Sequence, residues 1–269
     1  MKTQLTHLGI VYAIALFLCA ISQAKSNVGM EILPEGRPFR LTFADPREIR
    51  MAISFHGDSQ MKAFVGNYFS ILGWRPIEGD WQIHFGLEGA GFFTMRKEGA
   101  RFPLETADGL IGLYIEGSQG PWMAQFRYTH VSAHLADGSN GSAIPYSRET
   151  AVLRAGYAPD DSTHFYGGFT YLAHTVPVVP RAGLQLGGSY FYNLTGVRLA
   201  PFVSWDLQWQ ADASVNPSFS AQLGMALNNP PRSYHSFRFF YSYFTGVDPR
   251  GQYFNVPYTS HSFGIEMQI

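Results

Sequence analysis

"VRLAPFVSWDLQW", residues 197–209, is the stretch on which the fold turns. Val197, Leu199, Val203, Trp205, Leu207 and Trp209 alternate with Arg198, Ser204, Asp206 and Gln208. Successive side chains of a β-strand point to opposite faces, so a period of two sorts the apolar groups onto one side and the polar groups onto the other. A helix would scatter the same residues around its axis. "DWQIHFGLEG" (80–89) follows the rule, with Trp81, Ile83, Phe85 and Leu87 set against Gln82, His84, Gly86 and Glu88. So does "REIRMAISF" (47–55), where Ile49, Met51, Ile53 and Phe55 oppose Arg50, Ala52 and Ser54. Residues 63–72 alternate less cleanly, and their faces are not assigned.

Outward from these, twelve such runs fall near 47–56, 63–74, 81–95, 108–116, 121–134, 147–157, 163–175, 182–192, 196–209, 218–228, 233–245 and 258–269. An even count suits a single-chain bacterial barrel. The connections at 75–80, 117–120, 158–162, 193–195 and 229–232 are short, and most of those between, at 96–107, 135–146, 210–217 and 246–257, are long. Short turns mark the periplasmic side of such barrels and long loops the outside. The expected fold is therefore all-β: a transmembrane antiparallel β-barrel of about twelve strands, with both ends in the periplasm.

Composition agrees. Aromatic residues make up 16% of the chain and charged residues only 14%, against about 25% charged in an ordinary soluble domain. The formal net charge of -1 carries no footprint of nucleic-acid binding. Residues 1–24 read as an export signal, with Lys2 at a basic start, an apolar run from Leu8 to Ile21, and Ser22 and Ala24 at the cleavage positions. Residues 25–45 follow as a periplasmic N-terminal arm or partial plug, and 46–269 as the barrel. The single cysteine, Cys19, lies in the signal, so disulfide and thiol chemistry are excluded from the mature chain. The expected location is the bacterial outer membrane. The last strand, "SFGIEMQI", carries Phe263, Ile265, Met267 and Ile269 on one face. It resembles the C-terminal signal of outer-membrane barrels, which implies the insertion machinery as a partner, although those usually end in an aromatic residue.

On the polar, inward faces fall Arg50, Arg127, Arg154, Arg198 and Arg238, with Glu88, Glu116, Asp206 and Glu266. Charges of both signs in similar number predict a paired network filling the lumen rather than a one-sign ring.

The chemistry-bearing residues lie on the other face. In "QFRYTHVSAH" (125–134) the outward set is Phe126, Tyr128, His130, Ser132 and His134. On the descending strand "RETAVLRAGY" (148–157), Glu149 shares that outward face just across the hairpin. Alternate residues on one strand lie about 6.5–7 Å apart, within reach of an imidazole ring. Cross-strand Cβ atoms lie about 4.5–5.5 Å apart. If His130 opposes Glu149, then Ser132, His130 and Glu149 form nucleophile, base and orienter. His130 and His134 stand about 13 Å apart along the strand, too far to share a metal ion. No metal or cofactor is expected. His134, when protonated, suits a lipid headgroup phosphate.

His-x-Ser on the outward face, with a polar third member on the next strand, resembles the sites of outer-membrane phospholipase A and of lipid A deacylases. The resemblance implies a membrane-lipid substrate, either phospholipid or lipopolysaccharide, and catalytic groups on the lipid-facing wall. Phospholipase A also resembles this chain in having twelve strands. Its serine is usually followed by asparagine; here Ala133 follows Ser132. A second resemblance covers most of the mature chain. "LPEGRPFRLTFADPREIRMAISF", "THVSAHLADG" and "YSRETAVLRAGY" are similar to the bacterial family described as domain of unknown function 1207. Ala133, Ala136 and Gly138 depart from its more usual Ser-Ser-His-Leu-Gly-Asp-Glu.

Two functions follow from this reading. One is a lipid-acyl esterase of the outer leaflet, acting through Ser132, His130 and Glu149. The other is a non-enzymatic barrel, a narrow channel or an envelope scaffold, with the same residues sitting among headgroups. Near the interface a charged group facing lipid costs only about 0–1 kcal/mol.

Overall fold

The computed structural model describes residues 29–76, 80–194, 198–211, 213–227 and 236–268. The signal segment and Ile269 lie outside the described residues. A short strand β1 (Met30–Ile32) precedes β2 (Met51–His56), β3 (Gln60–Trp74), β4 (Trp81–Arg96), β5 (Leu104–Gln119), β6 (Trp122–Leu135) and β7 (Ser147–Tyr157). Then follow β8 (Thr163–Val176), β9 (Ala182–Phe191), β10 (Leu199–Gln210), β11 (Ser218–Leu227), β12 (Ser236–Val247) and β13 (Pro257–Gln268). Strands β2 to β13 form an antiparallel meander, and the pairing of β13 with β2 closes it into a twelve-stranded barrel. Closure satisfies every edge, which lipid demands because it offers no hydrogen bonds.

Alternation decides which way each strand faces. Phe55, Val65, Phe69, Ile111, Leu153 and Phe263 stand exposed on the outer wall. Apolar rows of this extent are tolerated only against lipid. The inner wall carries Ser54, His84, Glu88, Gln125, Arg127, Arg154, Ser204, Asp206, Arg238 and Glu266, all buried. Trp74 packs on Trp81 and Trp122 on Tyr157, with ring centroids 4.7 and 4.6 Å apart. These pairs flank short turns and form part of an interfacial aromatic girdle.

The lumen is filled by the chain's own N-terminal segment. β1 pairs with the lower end of β3, Met30 opposite Trp74. The chain then turns through Gly36, at φ 79, and runs inside the barrel to Arg50. Arg37 pairs with Glu116 at 2.6 Å and lies 3.5 Å over the Tyr68 ring. Phe39 joins Met123, Ala158 and Tyr166, while Phe43 joins Phe191, Phe202 and Phe240. Asp45 accepts from Arg154 at 2.7 Å, Gln185 at 3.0 Å and Gln208 at 3.1 Å. Arg47 donates to the Pro249 carbonyl at 2.9 Å in the loop between β12 and β13. Each buried charge thus meets an opposite charge or a dipole, the condition for burying it at all.

Three sequence expectations change here. The barrel wall begins at Met51 rather than residue 46. Ile49 does not face lipid: it is 2% exposed and packs on Tyr68, Leu110 and Tyr114, because it still belongs to the segment inside the lumen. Arg198 is exposed, just before the start of β10, where solvent hydrates it; it is not in the lumen network.

Glu48 sits on this inner segment, outside the membrane-spanning strands, bonded to Thr42 and Tyr68. Burial opposes its charged form, yet Arg154, Arg127 and Arg37 hold its carboxyl down at about 2, from an ordinary 4.5. A carboxyl depressed by folding contributes stability that is fully present above its ordinary value and is lost as pH falls toward the folded value. Hydrogen exchange across residues 33–50 is therefore expected to accelerate as pH falls from about 4.5 to about 2, after correction for intrinsic rates. Glu48→Gln should flatten that response. Equal protection across the window in the parent would refute the assignment.

Candidate functional site

β6 and β7 pair with His130 directly opposite Glu149 and Ser132 opposite Ser147. On its other side β6 sets Ser132 against Gly109 and His134 against Ala107 of β5. His130 and His134 are exposed on the outer wall, and Ser132 and Glu149 are half-buried there. His130 Nδ1 lies 4.0 Å from Glu149 Oε1, and the Tyr128 hydroxyl donates to Glu149 Oε2 at 3.4 Å. The carboxylate lies on the Nδ1 side of the ring, beyond hydrogen-bond distance. Among the described residues no hydrogen bond joins Ser132 to His130. Such contacts commonly tighten only when substrate is bound.

The wall around Ser132 is low. Gly109 has no side chain beside the hydroxyl, and a Cβ there would meet Ser132 Oγ at 3.6 Å. Beyond it Ile111, opposite His130, is 67% exposed.

One neighbour was hidden from the sequence. In β8 the register shifts between Glu149 and Thr150, so that Glu149 opposes His174 while Thr150 opposes Leu172. Leu172 is buried on the inner face and His174 is exposed. Strict alternation would send both inward. The extra residue, Ala173, is a bulge that reverses the parity above it. Glu149 is therefore flanked by His130 on one strand and His174 on the other. The only sequence signal is the lapse of alternation in "YLAHTV", 171–176.

β6 is also held from inside. Its pairing with β7 ends at Ser132, which leaves the Ala133 carbonyl without a ladder partner. The loop 248–256 reaches across the mouth and supplies one. Gln252 Nε2 donates to the carbonyls of Ala133 and Ile144, and its Oε1 accepts from Ile144 N–H at 3.0 Å. Gly251 N–H donates to Asp108 at 2.7 Å, and a Cβ on Gly251 would stand 2.5 Å from that of Ala133. Only glycine lets the loop lie this close.

The remaining predicted positions, Arg198 excepted, lie on the inner side of the barrel. Arg127 pairs with Glu88 at 2.8 Å. Arg238 binds Glu266, which also meets Arg50 at 3.4 Å. Asp206 accepts from Tyr166 and Gln185, both at 2.7 Å. None of these groups reaches the outward cluster.

The fold is shared with solved barrels. Escherichia coli outer membrane phospholipase A superimposes with a TM-score of 0.53 at 14% identity, over 86% of this chain and 91% of that one. An active-site mutant of the same protein gives 0.51 at 13%, over 86% and 91%. The Salmonella typhi outer membrane phospholipase, solved as a dimer with bound calcium, gives 0.53 at 14%, over 87% and 94%. At these identities the likeness is one of fold. No curated protein matches the sequence. A closed barrel with a lipid-facing apolar wall, of the outer-membrane type, places the protein in the bacterial outer membrane. The family model described as "Protein of unknown function (DUF1207)" matches residues 14–268, and the chain belongs to that family.

Proposed function

We propose that the protein is a lipid-acyl esterase working on the outer leaflet. The observation that carries this reading is the register: His130 directly opposite Glu149, with Ser132 two residues along the same lipid-facing row. Ser132 Oγ attacks the ester carbonyl of a phospholipid or lipopolysaccharide chain, and His130 takes the hydroxyl proton. The tetrahedral intermediate collapses, the ester C–O bond breaks, and His130 returns the proton to the departing alcohol. Water, deprotonated by His130, then releases the fatty acid from Ser132. Glu149 positions the ring and stabilises the imidazolium. His134, exposed further up the strand, takes the headgroup phosphate when protonated. The overlap in fold with outer membrane phospholipase A supports this assignment.

Mass spectrometry of lipids incubated with the refolded protein and calcium tests it. Fatty acid released from phospholipid or from lipopolysaccharide is the expected result and names the substrate. A correctly folded barrel that releases none from either would sink the esterase reading.

The packed lumen speaks against a channel. The protein is expected to give no steady open current in a planar bilayer, and deletion of residues 37–47 to give one. A steady current from the parent would favour conduction instead.

A further inference from the structure

A second feature is independent of Ser132. Below the mouth loop, on the inner side of β2, β3, β12 and β13, lies a cavity of about 110 Å3. Its lining is divided. Phe64, Phe92, Phe240 and Phe244 form an apolar wall, and Lys62, Ser54, His56, Ser260 and Tyr258 form a polar one. Lys62 is 7% exposed. Its ammonium donates to the Tyr258 hydroxyl at 3.3 Å and lies 4.5 Å from the Tyr258 ring centroid. Among the described residues no carboxylate comes within ion-pair distance of it. The acids nearby are engaged elsewhere: Asp248 by Arg250 at 2.5 Å, Glu105 by Arg96 at 2.6 Å, Asp58 by the Gln60 N–H at 3.3 Å, and Asp108, which also lines the cavity, by the Gly251 N–H at 2.7 Å. His56 Nδ1, on the same wall, is buried without a hydrogen-bond partner. An ammonium has three donors, and burying one with a single neutral partner is costly unless something else completes it.

We propose that this cavity binds a short-chain carboxylate, its carboxyl on Lys62 and the polar wall and its apolar body against Phe64, Phe92 and Phe244. Size limits the ligand, since an engineered cavity of about 150 Å3 admits benzene and little more. Charge selects a monoanion. Among the described residues the one cation of the lining that neither a carboxylate nor a carbonyl engages is the Lys62 ammonium, and beside hydroxyls it matches one carboxylate, whereas a phosphate near two negative charges favours guanidinium forks. The guanidinium forks that line the cavity are occupied, Arg250 by Asp248, Arg47 by the Pro249 carbonyl and Arg50 by backbone carbonyls. The apolar wall gives no partner to a bare inorganic anion.

The test is equilibrium dialysis of radiolabelled butyrate against the full refolded protein in detergent, with acetate, butanol and inorganic phosphate as competitors. Saturable butyrate binding is expected, displaced more weakly by acetate and not by butanol or phosphate. Lys62→Met should weaken binding by about tenfold to a hundredfold, the loss of one charge-assisted hydrogen bond. Without ligand the same variant should unfold at a higher temperature than the parent, because an apolar group replaces a buried charge that lacks a counterion. Absence of saturable binding, equal affinity in the variant, or phosphate competing as well as butyrate would each overturn the proposal. So would a Lys62→Met protein that is less stable or fails to refold, since the ammonium would then be structural.

Discussion

Ser132→Ala should reduce fatty-acid release by about a millionfold in kcat, the cost of removing a serine nucleophile whose base has no other target. Adding His130→Ala should cost almost nothing more, because the two groups act as one unit. Glu149→Gln should fall less far, by about ten thousandfold, since the amide keeps the shape but presents an N–H where Nδ1 needs an acceptor. KM should stay near its parent value in all three, because none of these groups binds the acyl chain. The measurement is turnover on a synthetic lipid ester in mixed micelles, with folding checked by heat-modifiable mobility. Ser132→Ala protein that still turns over would place the nucleophile elsewhere and remove the basis of the assignment.

Arg238→Met should destabilise the barrel by about 3–5 kcal/mol, the cost of breaking a buried ion pair from one side. Arg238 is 0% exposed and lies 4.1 Å from the centroid of Phe43 and 4.9 Å from that of Phe202. Its loss leaves Glu266, itself 2% exposed, with only the 3.4 Å contact to Arg50. The double change Arg238→Met with Glu266→Met should recover most of that loss. Arg50 then still donates to the carbonyls of Phe43, Asp45 and Glu48, and two flexible apolar chains fill the space. Urea unfolding of the refolded barrel, run as a double-mutant cycle, reads both values. A double variant less stable than the single would show that the pair is net stabilising in its own right.

Period-two alternation carried most of the fold because it reports which side of a wall each residue takes, and a barrel is all wall. β7 falls at 147–157 in both readings. The pairing of His130 with Glu149 required only a hairpin and a shared parity, both of which are local. What was not legible depends on context that alternation does not encode. Ile49 fits the pattern of β2 yet lies in the segment that fills the lumen, where tertiary packing sets its surroundings. Arg198 has the right parity but no strand beneath it. His174 has the wrong parity, and only the bulge at Ala173 turns it outward beside Glu149. The irregular alternation of 63–72 has a similar origin, a register shift between Ser70 and Leu72.

The contact between Arg47 and Pro249 joins residues 202 positions apart. One lies just before the first wall strand and the other in the last hairpin loop. Arg37 and Asp45 meet β5, β7, β9 and β10, but Arg47 gains its Pro249 contact only when the final hairpin is in place, with nearly all the chain already laid down. Contacts of such span are made late and slowly. During insertion the stretch around Arg47 should remain open to protease until β13 meets β2, and then become resistant in the same kinetic step that seals the wall. The last contact of the inner segment and the closure of the wall would then be one event.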